Sequence, residues 1–155
     1  MTLRFGSLRV PTTVRWPRME TVWLAVVLSD ELSPTDPWVE GCVVVGLAGA
    51  HSSSIELAAL DWVSEHAGEF GAEGDCLLVA GGARAARLAL AARDNGWPPL
   101  RRQLLVHPRF TTEQPMPTNV AGAPPATVVC GRRHDGGRYA ELMRTAGVAV
   151  REVRE

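Results

Sequence analysis

The sequence predicts an α/β fold: a mostly parallel sheet with helices on both faces. Three observations lead there. Short apolar runs rich in β-branched residues, such as 22–28 (VWLAVVL) and 42–47 (CVVVGL), read as strands buried on both sides. From residue 42 onward such runs alternate with helix-forming stretches, the pattern of parallel strands joined by right-handed crossovers. The chain has 155 residues, 46% hydrophobic and 21% charged, enough for one buried core. Residues 1–155 therefore read as one domain.

Within residues 1–20, the mixed stretch 3–18, broken by Pro11 and Pro17, reads as one or two short edge strands. Strand 22–28 follows, then a loop punctuated by Pro34, Pro37 and Gly41, then strand 42–47. Ser53 or Ser54 can cap a helix running to about Phe70, with a stripe at Leu57, Leu60, Trp62, Val63, His66 and Phe70. Strand 76–80 (CLLVA) leads into a sharp turn at Gly81 and Gly82. An alanine-rich helix then runs from Ala83 to a stop at Gly96. Strand 103–106, a proline-rich loop over 109–125, strand 127–130, a helix over 138–146 and an alternating last strand over 148–153 complete the chain.

Sixteen basic against seventeen acidic residues give a net charge of −1, which argues against nucleic acid as a partner. Every basic residue is arginine, which excludes lysine Schiff-base and P-loop chemistry. No run approaches ~18 uninterrupted apolar residues, so no membrane partner is expected, and the N-terminus lacks the apolar core of a signal peptide. Cys42, Cys76 and Cys130 are odd in number and sit in apolar runs, which implies reduced, buried thiols and a cytoplasmic location. His51, His107, His134 and Cys130 lack metal-ligand spacing, so neither metal nor cofactor is expected.

Two segments carry a resemblance. The stretch AALDWVSEHAGEFG with GDCLLVAGGARAARLALAARDNGWPPLRRQLLVHP, and the later APPATVVCGRRHDGGRYAELMRTAGVAVREV, are similar in order and spacing to hormone-sensitive-lipase-like esterases of the α/β-hydrolase fold. The resemblance implies a Gly-Asp-Ser-Ala-Gly-Gly elbow, where a serine sits on a strained strand-to-helix turn beside backbone N–H groups that hold the oxyanion. The matching residues here are Gly81-Gly82-Ala83-Arg84-Ala85-Ala86, so the nucleophile position is Ala83, which cannot attack a carbonyl. The family's acid would follow residue 130, where Gly131, Arg132, Arg133 and His134 stand, with Asp135 displaced. Its histidine would lie beyond Glu155. Its His-Gly-Gly motif is replaced by Ser29-Asp30-Glu31, and the cap expected between Pro108 and Pro124 is reduced to a loop. Losing a complete triad costs a serine hydrolase roughly 10⁶-fold in rate, about 8 kcal/mol.

These readings predict a catalytically degenerate α/β-hydrolase-like protein, a pseudoenzyme that binds a small ligand or a protein partner. The rival reading is a minimal carboxylic-ester hydrolase with a relocated nucleophile, drawn from Ser29 or Ser52 with His134 and Asp135 as weak substitutes. A small acidic ligand would meet the rim formed by the carboxyl ends of the strands: Gly81, Gly82, Arg84, His51, His107, Arg132 and Arg133. The alternating last strand reads as an unpaired sheet edge. The resemblance implies association through that strand and its helix, giving a homodimer or a heteromer with an active hydrolase.

Overall fold

The computed structural model describes residues 1–5, 7–132 and 135–155. Eight strands form one sheet. They are β1 (Thr2–Phe5), β2 (Leu8–Arg15), β3 (Leu24–Leu28), β4 (Val43–Leu47), β5 (Leu77–Gly81), β6 (Arg102–Val106), β7 (Ala126–Cys130) and β8 (Val150–Arg154). Their order is β1-β2-β4-β3-β5-β6-β7-β8. β2 joins β1 and β4 antiparallel, and every other pairing is parallel. All residues of β3, β4, β5 and β7 are buried, which their unbroken apolar runs anticipate.

Three α-helices connect the strands: α1 (Ser53–Glu65), α2 (Ala83–Asn95) and α3 (Asp135–Thr145). Ser52, not Ser53 or Ser54, caps α1, accepting from the Ile55 N–H at 3.4 Å. α1 stops before Phe70 because His66 turns out of helical geometry; its Nδ1 meets the Trp62 carbonyl at 2.7 Å and its ring stacks on Trp62. The apolar stripe continues as a 3-10 turn, Ala67–Phe70. α2 buries Ala83, Ala85, Ala86, Ala89 and Ala92 with Leu88 and Leu90, then ends at Gly96 in the left-handed conformation.

The expected pair of helical layers takes an asymmetric form. Apolar residues of α1, α2 and α3 pack with Leu24, Val26, Val45, Val79 and Leu105 on one face. The opposite face, with Ala25, Val27, Val44, Ala80 and Val129, is covered by Leu32, Val39 and Trp38. The cover there is a 3-10 turn, Pro37–Val39, whose start is fixed by the Asp36 carboxylate accepting from the Trp38 N–H at 2.9 Å. Handedness explains the asymmetry. The steps β4 to β5, β5 to β6, β6 to β7 and β7 to β8 all run in one direction across the sheet, so right-handed crossovers fall on one face. Only β3 to β4 runs back, and Pro34, Pro37 and Gly41 keep that connection from forming an α-helix. The link from β6 to β7, residues 107–125, contains no helix or strand, so this link forms no helical cap over the carboxyl ends of the strands.

The thiols differ from expectation. Cys130 is buried in β7, whereas Cys42 and Cys76 are only half-buried, outside the strands. All three are free.

Candidate active site

The turn after β5 is built from Gly81, Gly82 and Ala83. The Ala83 methyl is buried. Among the described residues only His107 is a non-glycine with positive φ, so Ala83 starts α2 without the strain that exposes an elbow serine. The N-terminus of α2 has no side-chain cap from Gly82. A residue from elsewhere supplies one. Glu31, just past β3, accepts from the backbone N–H groups of Gly82 at 2.9 Å, Arg84 at 2.9 Å and Ala85 at 3.1 Å. A carboxylate here completes the unsatisfied N–H groups and meets the positive end of the helix dipole.

In an elbow, the N–H of the residue after the nucleophile position is an oxyanion donor. That residue is Arg84, and its N–H already carries Glu31. The glycines admit the carboxylate closely: a Cβ on Gly81 would stand 2.9 Å from Oε1, and one on Gly82 would stand 3.2 Å from Oε2.

The Arg84 guanidinium is engaged by neighbours at the rim. It pairs with Asp30 at 3.4 Å and with Glu56, and donates to the Gly49 carbonyl at 3.4 Å. Asp30 also accepts from the Gly49 N–H at 3.2 Å. Glu56 is 5% exposed, and burial pushes its carboxyl above the ordinary value against the pull of Arg84. Arg84 thus has its own acceptors instead of an open fork at the rim.

The remaining candidates are dispersed. His51 points Nε2 at the Ala48 carbonyl, 2.9 Å away. Ser29 lies at the end of β3, its Oγ against Gly46 of β4. Ser52 is the α1 cap. Among the described residues, no hydrogen bond joins either serine hydroxyl to a histidine. His107, with φ 46, places Nε2 3.0 Å from Glu155, which also accepts from the Trp38 indole at 3.0 Å. These bonds hold the Glu155 carboxyl below the usual range. Asp135 accepts from the Phe110 N–H at 2.9 Å, a tie between the β6–β7 connection and α3. Arg132 is exposed and lines a cavity of about 270 Å³ with His107, Arg109, Cys130 and Gly136. Arg133 and His134 lie outside the described residues.

Larger cavities lie elsewhere: about 1060 and 770 Å³, beside residues 16–23 near the start of β3 and β4. Glu73, Asp75 and Cys76 place their ligand atoms within 4.8 Å of one another, before β5 and at the opposite end of that strand from Ala83.

Sequence reasoning located Ala83 but missed Glu31 as the cap of its helix and Glu56 as the partner of Arg84. The available signal was an acidic residue at the end of an apolar strand, in place of a glycine-rich oxyanion loop, together with an α2 start that has no side chain of its own to cap it.

No family model matches the chain. The esterase LipI of Mycobacterium tuberculosis is 31% identical over 142 aligned positions, which take in 60% of this chain and 44% of the esterase. The match therefore spans less than half of that relative. The aligned stretch is longer than the part of this chain it uses, so the esterase carries residues within it that this chain lacks. Among solved structures, the thermophilic carboxylesterase EstE1 from a metagenomic library superposes with a TM-score of 0.82 at 19% identity, covering 100% of this chain and 77% of its own. The hyperthermophilic esterase of Pyrobaculum calidifontis gives 0.81 at 19%, covering 100% and 74%. A thermostable esterase of Pseudomonas putida gives 0.78 at 23%, covering 99% and 71%. These likenesses establish the α/β-hydrolase fold, which the sequence resemblance implied.

Proposed function

We propose that this chain, which has the α/β-hydrolase fold of hormone-sensitive-lipase-like esterases in shortened form, is a pseudo-hydrolase whose role is binding rather than ester cleavage. One observation carries the reading: Glu31 holds the Arg84 N–H beside the Ala83 methyl. The step that such a fold accelerates in an esterase is attack on a carbonyl, with negative charge developing on its oxygen. Here no hydroxyl stands at the turn, and the donor that would receive that charge faces a full carboxylate. An incoming oxyanion would have to displace Glu31 against like-charge repulsion.

A supporting feature is the engagement of Arg84. A small acidic ligand at the start of α2 would compete with Glu31, Glu56 and Asp30 for the same groups. Protein interaction is therefore the better-supported binding role. The proposed partner is a second copy of this chain, joined at β8, the strand that ends the sheet. The cavity beside His107, Arg109 and Arg132 is the remaining candidate for a small acidic ligand.

The rival reading, a minimal ester hydrolase, draws on the His107–Glu155 hydrogen bond, a histidine oriented by a carboxylate. Short-chain p-nitrophenyl esters separate the two. The pseudo-hydrolase shows no turnover above the buffer rate, and Ala83→Ser alone does not create any. Turnover by the unaltered chain that disappears in His107→Gln would overturn the reading.

A further inference from the structure

We propose that the β1–β2 hairpin and the segment following it dock on an anionic lipid surface. The net charge of −1 averages over a strong segregation along the chain. Residues 1–19 hold Arg4, Arg9, Arg15 and Arg18 and no acidic residue, whereas residues 20–83 hold eleven acidic residues and no arginine.

The four arginines are exposed, and among the described residues none forms an ion pair. Arg4 and Arg9 are register partners across β1 and β2. Their neighbours Leu3 and Val10 face the core, so both arginines leave by the opposite face. Along β2 the residues Arg9, Pro11, Thr13 and Arg15 are exposed while Val10 and Thr12 are buried, so Arg15 shares that outer face. Like charges set directly opposite destabilise a hairpin. Stability of the strand pair therefore does not account for this arrangement.

Apolar side chains accompany the charge. Trp16, Met19 and Val22 are 61%, 81% and 43% exposed. Trp16 is held in place by its indole N–H, which donates to the Phe70 carbonyl at 2.9 Å. Cavities border the segment, which is tied to the body at Trp16 and at the Val22 carbonyl, the latter accepting from the Glu73 N–H at 3.1 Å. Glu20 and Glu69 border the larger cavity and Glu40 the smaller, and among the described residues none of them pairs with an arginine, so the basic contact falls to Arg15, Arg18 and the hairpin's outer face.

A lipid surface satisfies both halves of this patch. Headgroup phosphates take the guanidinium groups, and the boundary with the acyl chains takes Trp16 and Met19. Free phosphate would leave the apolar side chains in water. A single-stranded nucleic acid would stack on aromatic groups, and the aliphatic Met19 and Val22 offer no such face. No helix is long and apolar enough to cross a membrane, and surface docking requires none.

Co-sedimentation with unilamellar vesicles tests the proposal. Vesicles of phosphatidylglycerol in phosphatidylcholine bind the protein, pure phosphatidylcholine does not, and raised salt weakens binding. Arg15→Gln with Arg18→Gln weakens it roughly 30-fold. Met19→Ser weakens it with the salt dependence retained. Circular dichroism of each variant confirms an intact fold. Three outcomes overturn the proposal: no binding to anionic vesicles, equal binding by the double-arginine variant, or capture of a single-stranded oligonucleotide through these arginines without vesicle binding. The outcome is independent of ester hydrolysis, so it can fail without touching the pseudo-hydrolase reading.

Discussion

Glu31 and Ala83 meet at the same turn, and only one of them could be read from the sequence. Ala83 was legible because losing a hydroxyl is a change of residue type at a motif position. Glu31 was not, because its three hydrogen bonds reach more than fifty positions along the chain and depend on β3 lying beside β5. Its replacement has a measurable cost. Glu31→Ala leaves three helix N–H groups without their carboxylate and lowers stability by about 1–2 kcal/mol in urea unfolding. Arg84 is a sharper case. Arg84→Met strands the buried Glu56 without its cation and costs about 3–5 kcal/mol, while adding Glu56→Leu recovers most of the loss. Equal stability of the single and double variants would show that the pair is not coupled.

At the level of elements, strand positions were legible because five-residue apolar runs leave few alternatives. The end of α1 was not, since the stripe through His66 and Phe70 keeps helical spacing across a change to 3-10 geometry. The β8 edge carries two expectations. Glu152 has its carboxyl below the ordinary value of 4.5, chiefly through a hydrogen bond from Arg144. A lowered folded value gives stability that is present above 4.5 and lost as pH falls through it. Glu152→Gln therefore unfolds more easily at neutral pH and matches the unaltered chain in strong acid. Glu56 acts in the opposite sense, because its raised carboxyl favours the folded state as pH falls. The second expectation concerns pairing. An antiparallel partner centred on Val153 sets Arg151 opposite Glu155 and Glu152 opposite Arg154 of the second copy, whereas centring on Glu152 sets like charges together. Light scattering then gives twice the monomer mass. Arg154→Glu reduces it, and Glu152→Arg with Arg154→Glu restores it; a monomer at high concentration contradicts the pairing.

Across the whole molecule, strand-helix alternation announced the sheet, and crossover handedness determined its layers. Among the described residues the three α-helices fall on one face because all but one of the parallel connections advance in the same direction. Strand order is a long-range property, so the thin 3-10 cover of the other face could not be read from local pattern. The architecture brings Glu31, Arg84, Asp30 and Glu56 together at the carboxyl ends of β3, β4 and β5, where an esterase of this fold would do its chemistry. The proposed pseudo-hydrolase role requires that nothing at that rim acts as a nucleophile. Intact-mass spectrometry after exposure to a fluorophosphonate tests it most directly. The predicted spectrum is that of the unmodified chain, and a stoichiometric adduct, mapped to Ser29, Ser52 or any other hydroxyl, would contradict it.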